Sequence, residues 1–146
     1  MSDDASVIAV LNELLAAEQQ NLALRLFEST MFVSRLDVSA CDIVRGMADA
    51  GREHCAALTQ LILDLGGDPA PRAGDVTTAE LHFLDLHYVL PRLIADQSAL
   101  AGKYALAAPR LAGQPRTAAV IGGIVDRHNR NLAQVQSLGP RLKSAS

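Results

Sequence analysis

The sequence predicts an all-α fold: a four-helix bundle built as two antiparallel helical hairpins joined by a long crossover. Three observations predict it. Apolar residues make up 49% of the 146 residues but aromatics only 3%, a balance led by Ala and Leu that suits helices better than sheet. Apolar positions recur at three- and four-residue spacing along four long segments, the mark of helices with one buried face. Between the second and third segments the composition shifts to Gly, Pro and Asp, which is the one long connection in the chain.

The elements follow in order, within a single domain spanning residues 1–146. Helix A is expected over about 5–34, after Asp3 and Asp4 as candidate caps, with Val7, Leu11, Leu14, Leu15, Leu22 and Leu26 on its apolar face. A break near Arg35 to Val38 follows, and Asp37 or Ser39 caps helix B, expected over about 39–65. Gly66 and Gly67 supply left-handed residues to end it. The crossover occupies about 66–76. Thr77 with Glu80 reads as a capping box opening helix C, expected over about 77–107, with a kink at Pro91. Pro109 to Gln114 reads as a turn, and Pro115 opens helix D, expected over about 115–138 and ended by Gly139-Pro140. A helix of roughly 28 residues is about 42 Å long, and about eleven extended residues reach roughly 36–40 Å. The connection can therefore carry the chain back along the bundle, where an up-and-down topology would need only a few residues.

A net charge of −3 and a pI near 5.7 leave no basic footprint, so neither nucleic acid nor an anionic membrane is expected as a partner. The first residues, Met-Ser-Asp-Asp-Ala-Ser, are acidic and unlike a secretory leader, and no apolar run has the length of a membrane span. Cys41 and Cys55 fall on one helix about 21 Å apart and cannot bridge each other. A cytoplasmic, reducing location is the expectation.

Polar residues sit out of place on the apolar faces. His54 has Ala50 and Leu58 four residues away and Gly51 and Ala57 three away, so a titratable ring points into the stripe. Folding the first hairpin about Leu36 puts Glu18, itself among Leu11, Leu14, Leu15 and Leu22, at the level of His54. Folding the second about Ala112 puts His128, flanked by Ile121, Ile124, Val125, Leu132 and Val135, at the level of Asp96 or Gln97. Gln97 lies centrally in its stripe and Asp96 at the edge beside Arg92. Four helices thus each place one polar residue inward at about mid-height.

With these positions the chain resembles the ferritin-like proteins, particularly bacterioferritin and rubrerythrin. The resemblance runs from Glu18 through the helix B ending, His54-Cys-Ala-Ala-Leu-Thr-Gln-Leu-Ile-Leu-Asp-Leu-Gly-Gly-Asp-Pro69, to His128. Such proteins hold two irons with a Glu from each of helices A and C and a Glu-x-x-His from each of B and D. The resemblance implies Glu18, His54, Asp96 and His128 as metal ligands, with Gln97 the other candidate on helix C. Two departures limit it. Gly51 and Val125 stand where the motifs want the bridging glutamates, and the nearby acids Glu53 and Asp126 point away by helical geometry. The donor set therefore suits one Fe, Mn or Zn ion better than a dinuclear ferroxidase centre. Arg52 stands at the position of the haem-ligating methionine of bacterioferritins, so no haem is expected.

Three functions fit: a ferritin-like metal-binding protein with a mononuclear or vestigial site and at most weak ferroxidase activity, a non-catalytic assembly bundle that has lost the metal, or a small-molecule binder using space left by Gly51 and the Pro91 kink. In the second, Arg25 or Arg92 pairs with Glu18 in place of a metal, and Asp96 pairs with Arg92 or Lys103. The resemblance also implies a homodimer through helices A and B, with Phe27, Phe32 and Val33 as exposed candidates.

Overall fold

The computed structural model describes residues 4–21, 38–70 and 86–145, with side chains at 4–21, 42–70 and 90–138. Within them lie four helices: α1 (Asp4–Gln19), α2 (Val38–Asp64), α3 (Leu86–Leu111) and α4 (Pro115–Ala145). The helix directions follow from contacts at their ends. Ile8 of α1 packs on Gly67 just past α2, while Glu18, ten residues on, lies 3.4 Å from His54, so α1 and α2 are antiparallel. Asn12 between them donates to the Asp68 carbonyl (3.2 Å) and accepts from the Ala70 amide (2.8 Å). Gln114, just past α3, donates to Asp4 at the start of α1 (3.2 Å), and Arg116 at the start of α4 pairs with Asp64 at the end of α2 (2.8 Å). Consecutive helices α2 and α3 therefore run the same way, as a crossover topology demands. The connection's residues 71–85 lie outside the described residues.

Each helix packs on two others, α1 on α2 and α3, and α4 on α2 and α3. The shared core is layered from Val7, Val10, Leu11, Leu14 and Leu15 of α1, Leu58, Leu61 and Ile62 of α2, Leu100, Ala107 and Leu111 of α3, and Ile121 and Ile124 of α4. These side chains leave water almost completely, which stabilises each valine, leucine and isoleucine among them by roughly 1.5–3 kcal/mol.

Local chemistry sets the helix ends. The Gly67 amide donates to the Ile62 carbonyl (2.9 Å) and the Gly66 amide to that of Leu63 (3.0 Å). This double closure is the Schellman pattern, and it needs a left-handed residue at Gly66, where φ is 81°. Among the described glycines only Gly66 has positive φ, so Gly67 is not a second left-handed residue. Its lack of a side chain serves close packing, since a Cβ there would lie 2.8 Å from Ile8 Cγ2 of α1. At the start of α4 the Gln114 carbonyl accepts from the Ala118 amide (2.8 Å), placing Pro115 at the first helical position.

Three helix ends differ from expectation. α1 ends at Gln19, followed by a tight bond from the Asn21 amide to the Glu18 carbonyl (3.0 Å). Asn21 is buried, and asparagine favours helix ends because its amide competes for backbone groups. α3 continues through Pro109 to Leu111 because that last residue is fully buried, and one missing amide in the final turn is a small loss beside it. α4 likewise continues through Gly139 and Pro140 to Ala145. The expected extension of helix A through Leu22, Leu26 and Ser34, the Arg35 break, the capping box at Thr77 and Glu80, and the dimer candidates Phe27, Phe32 and Val33 lie outside the described residues. Among the described residues, no helix is long and apolar enough to cross a membrane.

Gly66→Ala should destabilise the fold by about 1 kcal/mol through the strained left-handed alanine. Denaturant unfolding should show it as a lower midpoint at unchanged slope.

Candidate metal centre

The inward polar residues are carried by regular helix, so their positions follow from register alone. Glu18 sits in the last turn of α1, His54 mid-way along α2, Gln97 and Tyr104 two turns apart on α3, and His128 mid-way along α4. Glu18 is 0% exposed, and the others are nearly as deeply buried. One carboxylate thereby meets all three other helices.

Glu18 Oε1 accepts from the Tyr104 hydroxyl of α3 at 2.9 Å and makes a close hydrogen bond with His128 Nε2 of α4. His54 Nδ1 of α2 lies 3.4 Å from the same oxygen, within ion-pair range but off the direction of a hydrogen bond. His54 Nδ1 and the second carboxylate oxygen, Glu18 Oε2, are consequently buried without hydrogen-bond partners. The two imidazoles meet edge to face with centroids 4.6 Å apart. On the far side of His128, Gln97 Nε2 lies 2.5 Å from Nδ1.

Burial pushes the Glu18 carboxyl up, but the hydrogen bond from His128 and the positive charge that His128 and His54 carry when protonated more than reverse this, leaving it at about 2. The carboxylate is therefore ionised at neutral pH. Burial, with the neighbouring Glu18 charge and hydrogen bond, pushes the Tyr104 hydroxyl up, so it stays protonated as a donor.

Glu18, His54 and His128 each offer a ligand atom within 4.8 Å of the others, the spacing of a possible metal site. Three of the four sequence candidates thus meet. Asp96 does not join them: it is half-buried, and the residue that α3 turns inward is Gln97, central in the apolar stripe. Glu53 and Asp126, the acids expected from helical geometry to point away, are both exposed. Gly51 is buried and Val125 packs against the core, so those two positions present no donor. Of the arginines considered as partners for Glu18, Arg92 is exposed and Arg25 lies outside the described residues. The sequence puts Tyr104 in the same apolar stripe as Leu90, Leu93, Ile94 and Leu100, where a tyrosine reads as packing. Its signal was the seven-residue spacing from Gln97 together with the rule that a buried tyrosine hydroxyl finds an acceptor. An open groove of about 410 Å³ lies between α1 and α3, lined by Leu14, Ala17, Lys103, Leu106, Ala107 and Arg110 rather than by Gly51 and Pro91.

In the metal-free protein, the pH dependence follows from the lowered Glu18 pKa. Its stabilisation is fully present above the unfolded value near 4.5 and is lost as pH falls towards about 2. Unfolding curves should lose up to about 3 kcal/mol across that window, and Glu18→Gln should abolish this part of the acid dependence. Tyr104→Phe, which strips one hydrogen bond from a buried charge, should cost about 1–3 kcal/mol at neutral pH by the same measurement.

No protein-family model matches the chain, and no curated protein matches it in sequence. The fold does match solved structures. A bacterioferritin of Desulfovibrio desulfuricans, described with a diiron site in different catalytic states, aligns over 97% of this chain and 82% of its own, with 19% identity and a TM-score of 0.74. A ferritin-like, diiron-carboxylate protein of Bacillus anthracis str. Ames aligns over 95% and 99%, with 17% identity and a TM-score of 0.74. The chain has the ferritin-like four-helix-bundle fold.

Proposed function

We propose that this protein binds one divalent transition-metal ion in the bundle core, through Glu18, His54 and His128. The observation that carries the reading is the ligand cluster of Glu18, His54 and His128, in which Glu18 Oε2 and His54 Nδ1 are buried without hydrogen-bond partners. Orphaned buried polar atoms are costly, and a cation would satisfy them together. Two imidazoles and one carboxylate suit a single Fe, Mn or Zn ion with open coordination positions. The set carries one formal negative charge, and Gly51 and Val125 supply none of the acids that would bridge a second ion. Iron bound there would supply one-electron chemistry, which makes weak ferrous oxidation the activity to assay. The protein's own residues do the rest. Leucine and isoleucine layers keep water out, the Tyr104 hydroxyl anchors Oε1, and the backbone of four helices holds the donors in register.

A second reading, a metal-free bundle serving assembly, is favoured by the bonds from Tyr104 and His128 to Oε1. They compensate much of the buried charge with protons alone.

Anaerobic titration separates the two. The metal reading expects one equivalent of Fe²⁺ or Zn²⁺ per chain, with affinity rising with pH because both imidazoles must be neutral to bind. His54→Ala and His128→Ala should each weaken binding beyond the roughly tenfold to hundredfold that loss of an outer partner costs. Absence of any bound metal near neutral pH, with no change in stability on adding chelator, would establish the assembly reading instead.

A further inference from the structure

Gln97 is a buried polar group against His128 that the proposed ligand set leaves unused. It is 1% exposed, and its amide faces His128 from the side opposite Glu18. Nε2 lies 2.5 Å from His128 Nδ1 and also within 3.5 Å of the His128 carbonyl oxygen, while Oε1 is buried with no hydrogen-bond partner. In this orientation the amide donates to both, so Nδ1 must offer its lone pair and a neutral ring carries its proton on Nε2. That proton is the one directed at Glu18 Oε1. The nitrogen facing the candidate centre is therefore closed to a cation.

Rotating the amide by half a turn exchanges its two ends at Nδ1 and gives up the donation to the His128 carbonyl, which can only accept. Oε1 would then accept from a proton on Nδ1, gaining the partner it lacks, and the Nε2 lone pair would be bared towards Glu18 and His54. The ring loses a proton from Nε2 and gains one on Nδ1, so the change of tautomer itself releases none. We infer that Gln97 is a positioning residue whose amide orientation switches His128 between a closed, Nε2-protonated form and an open, metal-accepting form. This rests on the metal reading above and adds to it a device that governs loading. A glutamine can take both orientations because its two ends are a donor and an acceptor of nearly equal size, which a carboxylate or an aliphatic side chain cannot imitate. Once a metal is bound, the ring N–H is polarised and its hydrogen bond to Oε1 strengthens, so the open orientation is held.

The test uses ¹⁵N NMR of the histidine rings in the full-length protein, metal-free and with one equivalent of Zn²⁺, which is diamagnetic. His128 is expected as the Nε2–H tautomer in the metal-free protein and as Nδ1–H after zinc, with the Gln97 side-chain amide signals moving at the same step. Gln97→Met, close in volume, removes the acceptor for the Nδ1 proton and should weaken Zn²⁺ binding about tenfold or more, with the helical circular-dichroism spectrum retained. Zinc binding with His128 in one unchanged tautomer, or with equal affinity in Gln97→Met, would overturn the switch and leave the metal reading standing. Failure of the wild-type protein to bind zinc would overturn both.

Discussion

A carboxylate held in its ionised form with no exposure to water is among the most expensive arrangements a bundle core can contain, and Glu18 is such a group. The rest of the interior is arranged around that cost. His54, Tyr104 and His128 reach it from three different helices, so the charge is compensated only when α1, α2, α3 and α4 are all in register. Leucine layers supply most of the driving force for packing, but they are indifferent to a slip of one turn. The Glu18 cluster is not, since such a slip moves each partner by about 5.4 Å and strands a buried charge. One polar centre thus specifies the register that the apolar core merely rewards.

The ends of the bundle complete that specification. The Schellman closure at Gly66 turns the chain out of α2, and the bare backbone at Gly67 lets Ile8 of α1 approach. Asn12 then clamps Asp68 and Ala70 against α1. At the same end of the bundle, Asp64 with Arg116 and Asp4 with Gln114 tie α2 to α4 and α1 to the turn before α4. These are exposed contacts of modest energy. Their effect is geometric: they hold the long helices at a fixed axial level, which keeps the donors above them aligned.

Much of this was legible in the amino-acid order. A hairpin folded about its turn brings equidistant residues together, and that simple count paired Glu18 with His54 and His128 with the Asp96–Gln97 level. The family resemblance put Asp96 among the ligands, whereas the centre of the apolar stripe pointed to Gln97, and α3 turns Gln97 inward. Prolines were misleading as terminators. Pro109 lies inside the last turn of helix α3, which Leu111 anchors in the core, and α4 runs through Pro140, so tertiary packing overrode a local signal. Tyr104 was hidden because a tyrosine in an apolar stripe reads as packing until the acceptor beside its hydroxyl is known. The orientation of the Gln97 amide could not be read at all, since no spacing rule reports which end of an amide faces a neighbour.

This chain shares its fold with the matched structures, and in the reading proposed above Glu18 is the one acid of the centre, because Gly51 and Val125 carry no charge. A scaffold so reduced, in our reading, still needs a cation beside Glu18 and can hold one metal ion there. The most direct measurement is anomalous diffraction at the absorption edge of zinc or iron from crystals grown with that metal. The account expects one strong peak per chain between the side chains of Glu18, His54 and His128. Two peaks in the core, or none there with metal only at the surface, would contradict it.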